Sequence, residues 1–287
     1  MENLLQEYVE YLRFVRRVSE NTVIAYQTDV AQFLQFLREK GTPLNSFGVK
    51  DGEDYLKQIS KDRDQPMSIS TLARKISSLR NFFDYLVLRN YVPNNPWTRV
   101  KSPRLRKRMP DFLTREEVGA MLRVSERNER DHLILCLLYY CGLRVSELCN
   151  LKVSDVSFSP AFVKILMGKG RKDRIVPLNI DLSNKLRHYI TKSQRTMEQF
   201  LFGGEVRIHP STVFRIVRKY ASLCGIKKKI HPHTLRHSFA THLLQRKVNV
   251  RVVQELLGHA NLSTTSTYLH LLDEEKIAAV NSLIEEE

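Results

Sequence analysis

A proline-rich, basic stretch at residues 91–110 divides this 287-residue sequence into two parts of different pattern. It holds four of the ten prolines, and its second half holds five basic residues and no acidic residue. Proline lacks the backbone donor that helices and sheets need, so the stretch predicts an extended linker. We therefore expect a first domain over residues 1–100, a basic linker over 101–110 and a second domain over 111–287.

The first part shows a helical pattern throughout. Apolar residues recur at helical spacing between a capping Ser19 and a closing Gly41. A second helix is predicted over residues 70–88, with Arg74, Lys75 and Arg80 off its apolar face. The N-terminal segment is helical as well, and no strand pattern competes. The first domain is therefore expected to be an all-α bundle of about four helices.

The second part mixes helices with a few strands. A capping box, Thr114 with Glu117 three residues later, starts one helix, and a long apolar helix follows and ends at Gly142. An apolar period of two then predicts short strands, over residues 151–158, 161–167 and 174–178. A glycine-rich hairpin tip, GKGRKD, joins the last two strands, and helices return after them. The expected fold class is mainly α with a small β-sheet, in two domains.

Basic residues exceed acidic ones in both parts of the chain. The 46 Lys and Arg against 31 Asp and Glu give a net charge of +15 at pH 7. Residues 206–254 hold eleven Lys or Arg and no acid, whereas a solvated surface usually mixes both signs. The excess indicates a polyanionic partner such as nucleic acid, although the whole-chain charge alone fits a basic but otherwise ordinary enzyme equally well.

Several classes of protein are excluded by simple patterns. No apolar run approaches the roughly 18–20 residues that cross a bilayer, and the mixed, acidic N-terminus is unlike a signal peptide. The four cysteines form no CxxC pair, which favours buried, reduced thiols. His233 and His237 have helical ligand spacing, but no nearby cysteine or acid pair completes a zinc site. We expect a cytoplasmic protein with no metal and no cofactor.

Four short segments of the second part place charged or nucleophilic side chains in apolar surroundings. In YYCGLRVSELCNL, Arg144 lies among apolar residues, and Glu147 three residues later is its candidate partner. The two form either a structural ion pair or an anion-binding arginine held by its acid. In GKGRKDR, Lys169 lies between two glycines, either in a solvated turn or facing a ligand.

The other two segments lie nearer the C-terminus. In HPHTLRHSFATHLL, His233 and Arg236 share a face of a mostly buried helix, which suits an anion clamp; the alternative is a basic helix with surface histidines. In LLGHANLSTTSTYLHLL, His259 follows a glycine at a helix end, and Tyr268 comes nine residues later. A single tyrosine of this kind is unremarkable, so only the combination of the four segments carries an interpretation.

Together these segments indicate phosphoryl transfer that uses side-chain cations in place of a metal. The sequence has no P-loop, no HExxH metal motif and no GxSxG motif. Tyr268 would then be the nucleophile and form a covalent phosphoester. The order and spacing of the motifs resemble the tyrosine recombinase, or phage integrase, family. The two-part layout, the linker and the length resemble its Xer subgroup, and the resemblance covers nearly the whole chain.

This resemblance implies a fold for each domain and a role for each motif residue. The first domain would be a SAM-like, core-binding helical bundle, and the second the catalytic domain. Tyr268 would attack the scissile phosphodiester and form a 3′-phosphotyrosine. Arg144 and Arg236 would bind the nonbridging oxygens, and Lys169 would protonate the leaving 5′-oxygen. His233 would accept the tyrosine proton, His259 would donate a hydrogen bond to the phosphate, and Glu147 would support the site.

The resemblance also implies partners. Both domains would bind double-stranded DNA at an inverted-repeat site, and strand exchange would pass through a Holliday junction. Four protomers, identical or of two kinds, would act on two duplexes, with no membrane involved. Residues 273–287 predict an amphipathic helix that either docks on a neighbouring protomer or packs on its own domain. Within the family, the Xer-like layout implies chromosome dimer resolution at a dif-like site.

Three other functions remain open at this point. A mobile-element integrase and a type IB topoisomerase use the same chemistry. A regulatory DNA-binding protein with a lapsed site belongs to another class, and the presence of all six motif residues together with Glu147 argues against it.

Overall fold

The computed structural model describes residues 2–61, 67–103, 111–166 and 173–258. The chain divides into two compact units, Met1–Arg108 and Met109–Glu287. Helices dominate the described part of both units, and the second unit also carries a small sheet, so the predicted fold class is confirmed. None of the described helices is long and apolar enough to cross a membrane.

The first unit is the helical bundle that the sequence predicts. Its described helices are α1 (Glu2–Glu10), which continues into a π-helical turn (Tyr11–Val15), α2 (Glu20–Lys40), α3 (Val49–Lys61) and α4 (Ile69–Leu88). Ser19 caps α2 by accepting a hydrogen bond from the backbone N–H of Thr22, and Gly41 ends it with φ of +65°. Aromatic rings fill the core, where Phe33 lies edge-on to the fully buried Trp97 at 5.8 Å between centroids.

Two of the three basic residues predicted to lie off the apolar face of α4 are buried or half-buried and make internal contacts, so the prediction was wrong for Lys75 and Arg80. Lys75 is only 4% exposed, and its Nζ donates to Oδ1 of Asp29 at 2.9 Å. Arg80 is half-buried and donates to the backbone carbonyl of Trp97 at 3.2 Å. The pattern of α4 alone could not show this, because the partners lie on α2 and in the segment after α4.

The second unit is organised around one buried helix. Its described helices are α5 (Arg115–Ser125), α6 (Glu129–Tyr140), α7 (Val145–Asn150), α8 (Ile180–Ser193), α9 (Pro210–Leu223), α10 (Pro232–Gln245) and α11 (Val250–Leu257). The predicted capping box of Thr114 and Glu117 starts α5. The α6 helix is buried from Asp131 to Tyr139 and packs against α5, α8, α9 and α10. This helix leads directly into the turn that carries Arg144.

Three antiparallel strands form a sheet of order β1-β2-β3. They are β1 (Val156–Phe158), β2 (Ala161–Ile165) and β3 (Arg174–Pro177). The first strand begins later than predicted, because Val153–Asp155 is a 3-10 turn in which the Asp155 carboxylate accepts from the Lys152 N–H at 2.8 Å. The hairpin tip predicted between β2 and β3 falls on residues 167–172, outside the described residues.

The four cysteines are free, as predicted, and all belong to the second unit. Cys136, Cys141 and Cys149 are buried and Cys224 is half-buried. The amphipathic helix predicted over residues 273–287 lies outside the described residues.

Candidate active site

The candidate site is built around the buried carboxylate of Glu147. Arg144 precedes α7, and its backbone N–H donates to Oε2 of Glu147 at 2.8 Å while its Nη1 donates to Oε1 at 2.7 Å. This is the capping-box geometry, in which an acid in the first helical turn satisfies a free amide. The ion pair predicted from the spacing therefore forms. The Glu147 side chain is 5% exposed and that of Arg144 is 28% exposed, so only the arginine reaches solvent.

Arg174 is a second arginine on the same carboxylate, and sequence reasoning missed it. It is the first residue of β3, and it donates from Nη1 to Oε1 of Glu147 at 2.9 Å and from Nη2 to Oε2 at 2.7 Å. Its buried position makes this bidentate pair well shielded from water. One signal could have found it, because an arginine at an inward-facing strand position needs a buried acid as its partner.

Arg236 completes the cluster from α10. Its Nη1 donates to the carbonyl of Gly142 and its Nη2 to the carbonyl of Leu257, both at 2.5 Å. Its Nη1 also lies 3.7 Å from Oε2 of Glu147, which is an ion-pair distance. The structure thus brings together Arg144, Glu147 and Arg236, three of the residues that the sequence singled out.

The cluster carries more positive than negative charge. Burial by itself raises the pKa of the Glu147 carboxyl, but the hydrogen bonds from Arg174 and Arg144 outweigh it and lower that pKa to about 2. Burial, and then the nearby charge of Arg144, lower the pKa of Arg236 to about 9, which leaves it cationic at pH 7. Three guanidinium groups and one carboxylate give a net charge of +2. Such an excess favours an anion, and guanidinium forks match the oxygens of a phosphate.

His233 lies one turn before Arg236 on α10 and is exposed to solvent. Partial burial of its ring, followed by the charges of His231, Arg236 and Arg144, lowers the pKa of His233. The imidazole is therefore neutral at pH 7 and able to accept a proton. A neutral base beside two arginines is an arrangement that can deprotonate a nucleophile while the arginines bind its target.

Two contacts fix α10 against the elements that precede it. Ser238 accepts a hydrogen bond from the backbone N–H of Leu113 at 2.8 Å, which ties the start of the second unit to this helix. Gly142 has φ of +57°, and a Cβ there would lie 2.6 Å from the ring of Phe239. The turn that presents Arg144 and the helix that presents Arg236 are therefore packed too closely to admit a larger residue at position 142.

Two family models match the chain. The model of the phage integrase family matches residues 111–275, and the model of the phage integrase N-terminal SAM-like domain matches residues 5–90. The chain belongs to the phage integrase family. It is thus an enzyme of the tyrosine recombinase type, a site-specific DNA recombinase.

Relatives agree with this membership. The chain is 57% identical over the whole of both chains to a tyrosine recombinase of Pseudothermotoga lettingae (strain ATCC BAA-301 / DSM 14385 / NBRC 107922 / TMO). It is 35% identical to the tyrosine recombinase XerD of Oceanobacillus iheyensis (strain DSM 14371 / CIP 107618 / JCM 11309 / KCTC 3954 / HTE831), with 94% of each chain covered. Among solved structures, the XerH site-specific recombinase bound to difH substrate has a TM-score of 0.70 at 20% identity, with 93% of this chain and 82% of that chain covered. This last likeness concerns the fold alone.

Three of the family motif residues, Lys169, His259 and Tyr268, lie outside the described residues. The described residues nevertheless fix where their segments leave the fold. The segment with Lys169 runs between Ile165 and Arg174, which pair across β2 and β3. The segment with His259 and Tyr268 begins after Gly258, whose carbonyl lies 3.5 Å from Nη2 of Arg144. Each segment therefore adjoins a residue of the arginine cluster or a contact of it, Arg174 in the first case and Gly258 in the second.

No metal centre is present in the part of the chain that the structure describes, where no three His, Cys, Asp or Glu side chains come together in a suitable group. His237, considered above with His233, has its ring 6.5 Å from that of Phe112 between centroids.

Proposed function

We propose that this enzyme cuts and rejoins double-stranded DNA through a 3′-phosphotyrosine on Tyr268. The observation that carries the proposal is the arginine cluster on Glu147, in the same unit as the tyrosine. Arg144 and Arg236 hold two forks of hydrogen-bond donors beside a single buried carboxylate. Donors fixed in this way stabilise the negative charge that grows on the phosphate oxygens when a fifth oxygen approaches phosphorus.

The motif residues account for each bond and each proton transfer in this reaction. The phenolic oxygen of Tyr268 forms a bond to phosphorus, and the bond from phosphorus to the 5′-oxygen breaks. His233 takes the phenol proton, and Lys169 gives a proton to the leaving 5′-oxygen. His259 donates a hydrogen bond to the phosphate, and Glu147 holds Arg144 in place.

Strand exchange follows from the reversibility of this step. The phosphotyrosine keeps the energy of the broken bond, so the 5′-hydroxyl of a partner strand can displace the tyrosine and join the new strands. Two such rounds on two duplexes pass through a Holliday junction and need four active sites, which makes a tetramer the working form. The exposed basic side chains of α9 and the turn after it would contact phosphates, among them Arg215, Arg218, Lys227 and Lys229.

The biological role that we propose is chromosome dimer resolution at a dif-like site. The likeness to a XerD recombinase across most of both chains supports this role. The alternative is a mobile-element integrase, or a type IB topoisomerase-like enzyme that cuts and reseals a single duplex without a partner site.

Covalent attachment tests the chemistry. In a nicked duplex, the short fragment that carries the cleaved 5′-end dissociates, so the phosphotyrosine is trapped. The reaction is run in the presence of EDTA, and a denaturing gel then shows protein joined to labelled DNA. The wild-type enzyme should form this product, and Tyr268→Phe should bind DNA without forming it. Tyr91→Phe is the matched control, because Tyr91 is exposed in the first unit and should leave attachment intact. Attachment by Tyr268→Phe would refute the nucleophile assignment.

The attached DNA identifies the role. Host-genome fragments should yield attachments clustered on one short inverted repeat, as dimer resolution requires. Attachments at the ends of an inserted element would establish an integrase. Attachment without sequence preference, together with relaxation of supercoiled DNA, would establish a topoisomerase.

A further inference from the structure

Arg174 has no part in the reaction described above, yet the fold buries it in the centre of the site. It is 6% exposed, and the carboxylate of Glu147 binds both of its terminal nitrogens. Protein groups therefore already hold this guanidinium at both of its terminal nitrogens. Burial of a charge is costly, and a bidentate pair inside the site points to a positioning role.

The third donor of Arg174 binds the end of α11. Its Nε donates to the carbonyl of Leu256 at 2.8 Å. Gly258, with φ of +63°, closes the helix directly on this side chain, since a Cβ there would lie 2.9 Å from Cδ of Arg174. The arginine therefore makes simultaneous contact with α7 through Glu147 and with the last turn of α11.

Each of the three arginines of the cluster contacts one of three successive backbone carbonyls at the end of α11. Arg174 binds the carbonyl of Leu256, Arg236 that of Leu257, and Arg144 approaches that of Gly258. These are the carbonyls that a helix end leaves without backbone partners. The negative end of the helix dipole adds to the attraction.

The segment that carries Lys169 leads along the chain into β3, which begins at Arg174. Arg174 pairs with Ile165 at the end of β2. Lys169 lies in the six residues 167–172 that join the described ends of these strands. The anchored backbone of Arg174 is thus five residues from Lys169, whereas Glu147 and Leu256 are distant in sequence.

From these contacts we infer that Arg174 is a positioning residue for Lys169. It holds the C-terminal root of the hairpin against Glu147 and α11, and so sets the distance between the lysine and the phosphate that Arg144 and Arg236 bind. The inference rests on the proposed function, because it requires Lys169 to protonate the leaving oxygen.

The test uses a leaving group that needs no proton. Single-turnover cleavage is measured at saturating enzyme on two nicked duplexes, one with the ordinary 5′-oxygen at the scissile phosphate and one with sulfur in its place. Arg174→Lys keeps the charge but cannot reproduce the two bonds to Glu147 together with the bond to Leu256. We expect it to slow cleavage of the oxygen substrate roughly 10- to 100-fold, a part of the ~10²–10⁴-fold that a general acid supplies. On the sulfur substrate its rate should return to within a few-fold of wild type.

The ratio of the two rates is the decisive measurement. Each rate is taken for the same preparation, so loss of folded enzyme lowers both amplitudes equally and cancels. Arg187→Lys is the matched control, because Arg187 is exposed on α8, away from the cluster, and should behave as wild type on both substrates. Equal slowing of Arg174→Lys on both substrates, or no slowing on either, would overturn the inference.

Two reference variants separate this outcome from failure of the proposed function. Lys169→Ala should show the same selective defect in stronger form, with rescue by sulfur. If Lys169→Ala is not rescued, the lysine is not the acid and that part of the proposed function fails whatever Arg174 does. Tyr268→Phe should cleave neither substrate.

Discussion

Lys75 and Asp29 form a buried ion pair between α4 and α2, with 2.9 Å from Nζ to Oδ1 and side chains 5% and 1% exposed. Asp29 also binds Arg74, and Lys75 also donates to Oε1 of Gln32 at 2.7 Å. Every charge in this group therefore has a counter-charge or a polar partner. Removal of one member leaves another without compensation inside the bundle, and the cost of that falls on folding.

Asp29→Ala should lower the free energy of unfolding of the first unit by about 3–5 kcal/mol, because it strands the Lys75 ammonium in the core. Trp97, the single tryptophan of the chain, is fully buried in this unit, so its fluorescence reports urea unfolding of the bundle selectively. Glu20→Ala is the control. It removes the ion pair of Arg13 with Glu20, whose side chains are 40% and 58% exposed, and should cost less than about 1 kcal/mol. Similar losses for both variants would contradict the prediction.

Glu147 makes the stability of the second unit depend on pH. Its pKa is lowered from 4.5 to about 2 by the two arginines, so the folded state holds its proton less tightly than the unfolded state. The associated stability, about 3 kcal/mol, is present above pH 4.5 and is lost as the pH falls toward 2. Calorimetric unfolding of Glu147→Gln should show a lower melting temperature at pH 7 and a smaller decline on acidification than wild type. Glu198→Gln, at a side chain 85% exposed, should follow the wild-type curve; a full acid decline in Glu147→Gln would refute the assignment.

His233 should determine how the cleavage rate falls on the acid side of its pH profile. It acts as a base only when neutral, and burial together with the neighbouring charges lowers its pKa below the ordinary 6.5. The single-turnover rate should therefore stay level as the pH falls to about 6.5 and decline only below that value. His233→Gln should cut the rate by about 10²–10⁴-fold and remove this decline. His188→Gln, at a histidine side chain 70% exposed on α8, is the control; an unchanged acid limb in His233→Gln would assign the base elsewhere.

Alanine substitutions at Gly142 and Gly204 distinguish the stability cost of backbone strain from that of steric overlap. Both glycines have positive φ, +57° and +79°, but a Cβ at 142 would lie 2.6 Å from Phe239 while a Cβ at 204 meets nothing within 4 Å. Gly204→Ala should therefore cost about 1 kcal/mol of stability, and Gly142→Ala about 2–4 kcal/mol. Thiol labelling in urea can measure both, since all four cysteines lie in the second unit and three of them are buried. Equal costs would mean that Phe239 moves aside freely.

Local sequence signals predicted most of the fold. Ser19 and Gly41 bound α2, Thr114 with Glu117 starts α5, and Arg144 with Glu147 forms an ion pair across three residues. In each case the interacting groups lie within one helix or one helical turn, so their spacing along the chain determines whether they can meet.

Contacts between segments distant in sequence could not be predicted from local spacing. Arg174 and Glu147 are 27 residues apart, and Lys75 and Asp29 are 46 apart. Both basic residues looked solvent-facing or incidental in their own segments, because the acid that stabilises each is supplied by another element after packing. The candidate site shows the same division, with the Arg144–Glu147 pair predictable from local spacing and the Arg174 contact visible only in three dimensions.

The arginine cluster binds the end of α11 through main-chain oxygens, and every residue type carries one. Positions 256 and 257 can therefore exchange one apolar side chain for another during evolution without loss of the contacts to Arg174 and Arg236. In a comparison of homologues, we expect the arginines to be retained while their acceptors vary, so that covariation between the two ends of each bond is absent. On the α11 side, the contact with the arginines would then constrain the sequence at Gly258, where the lack of a side chain is itself the requirement.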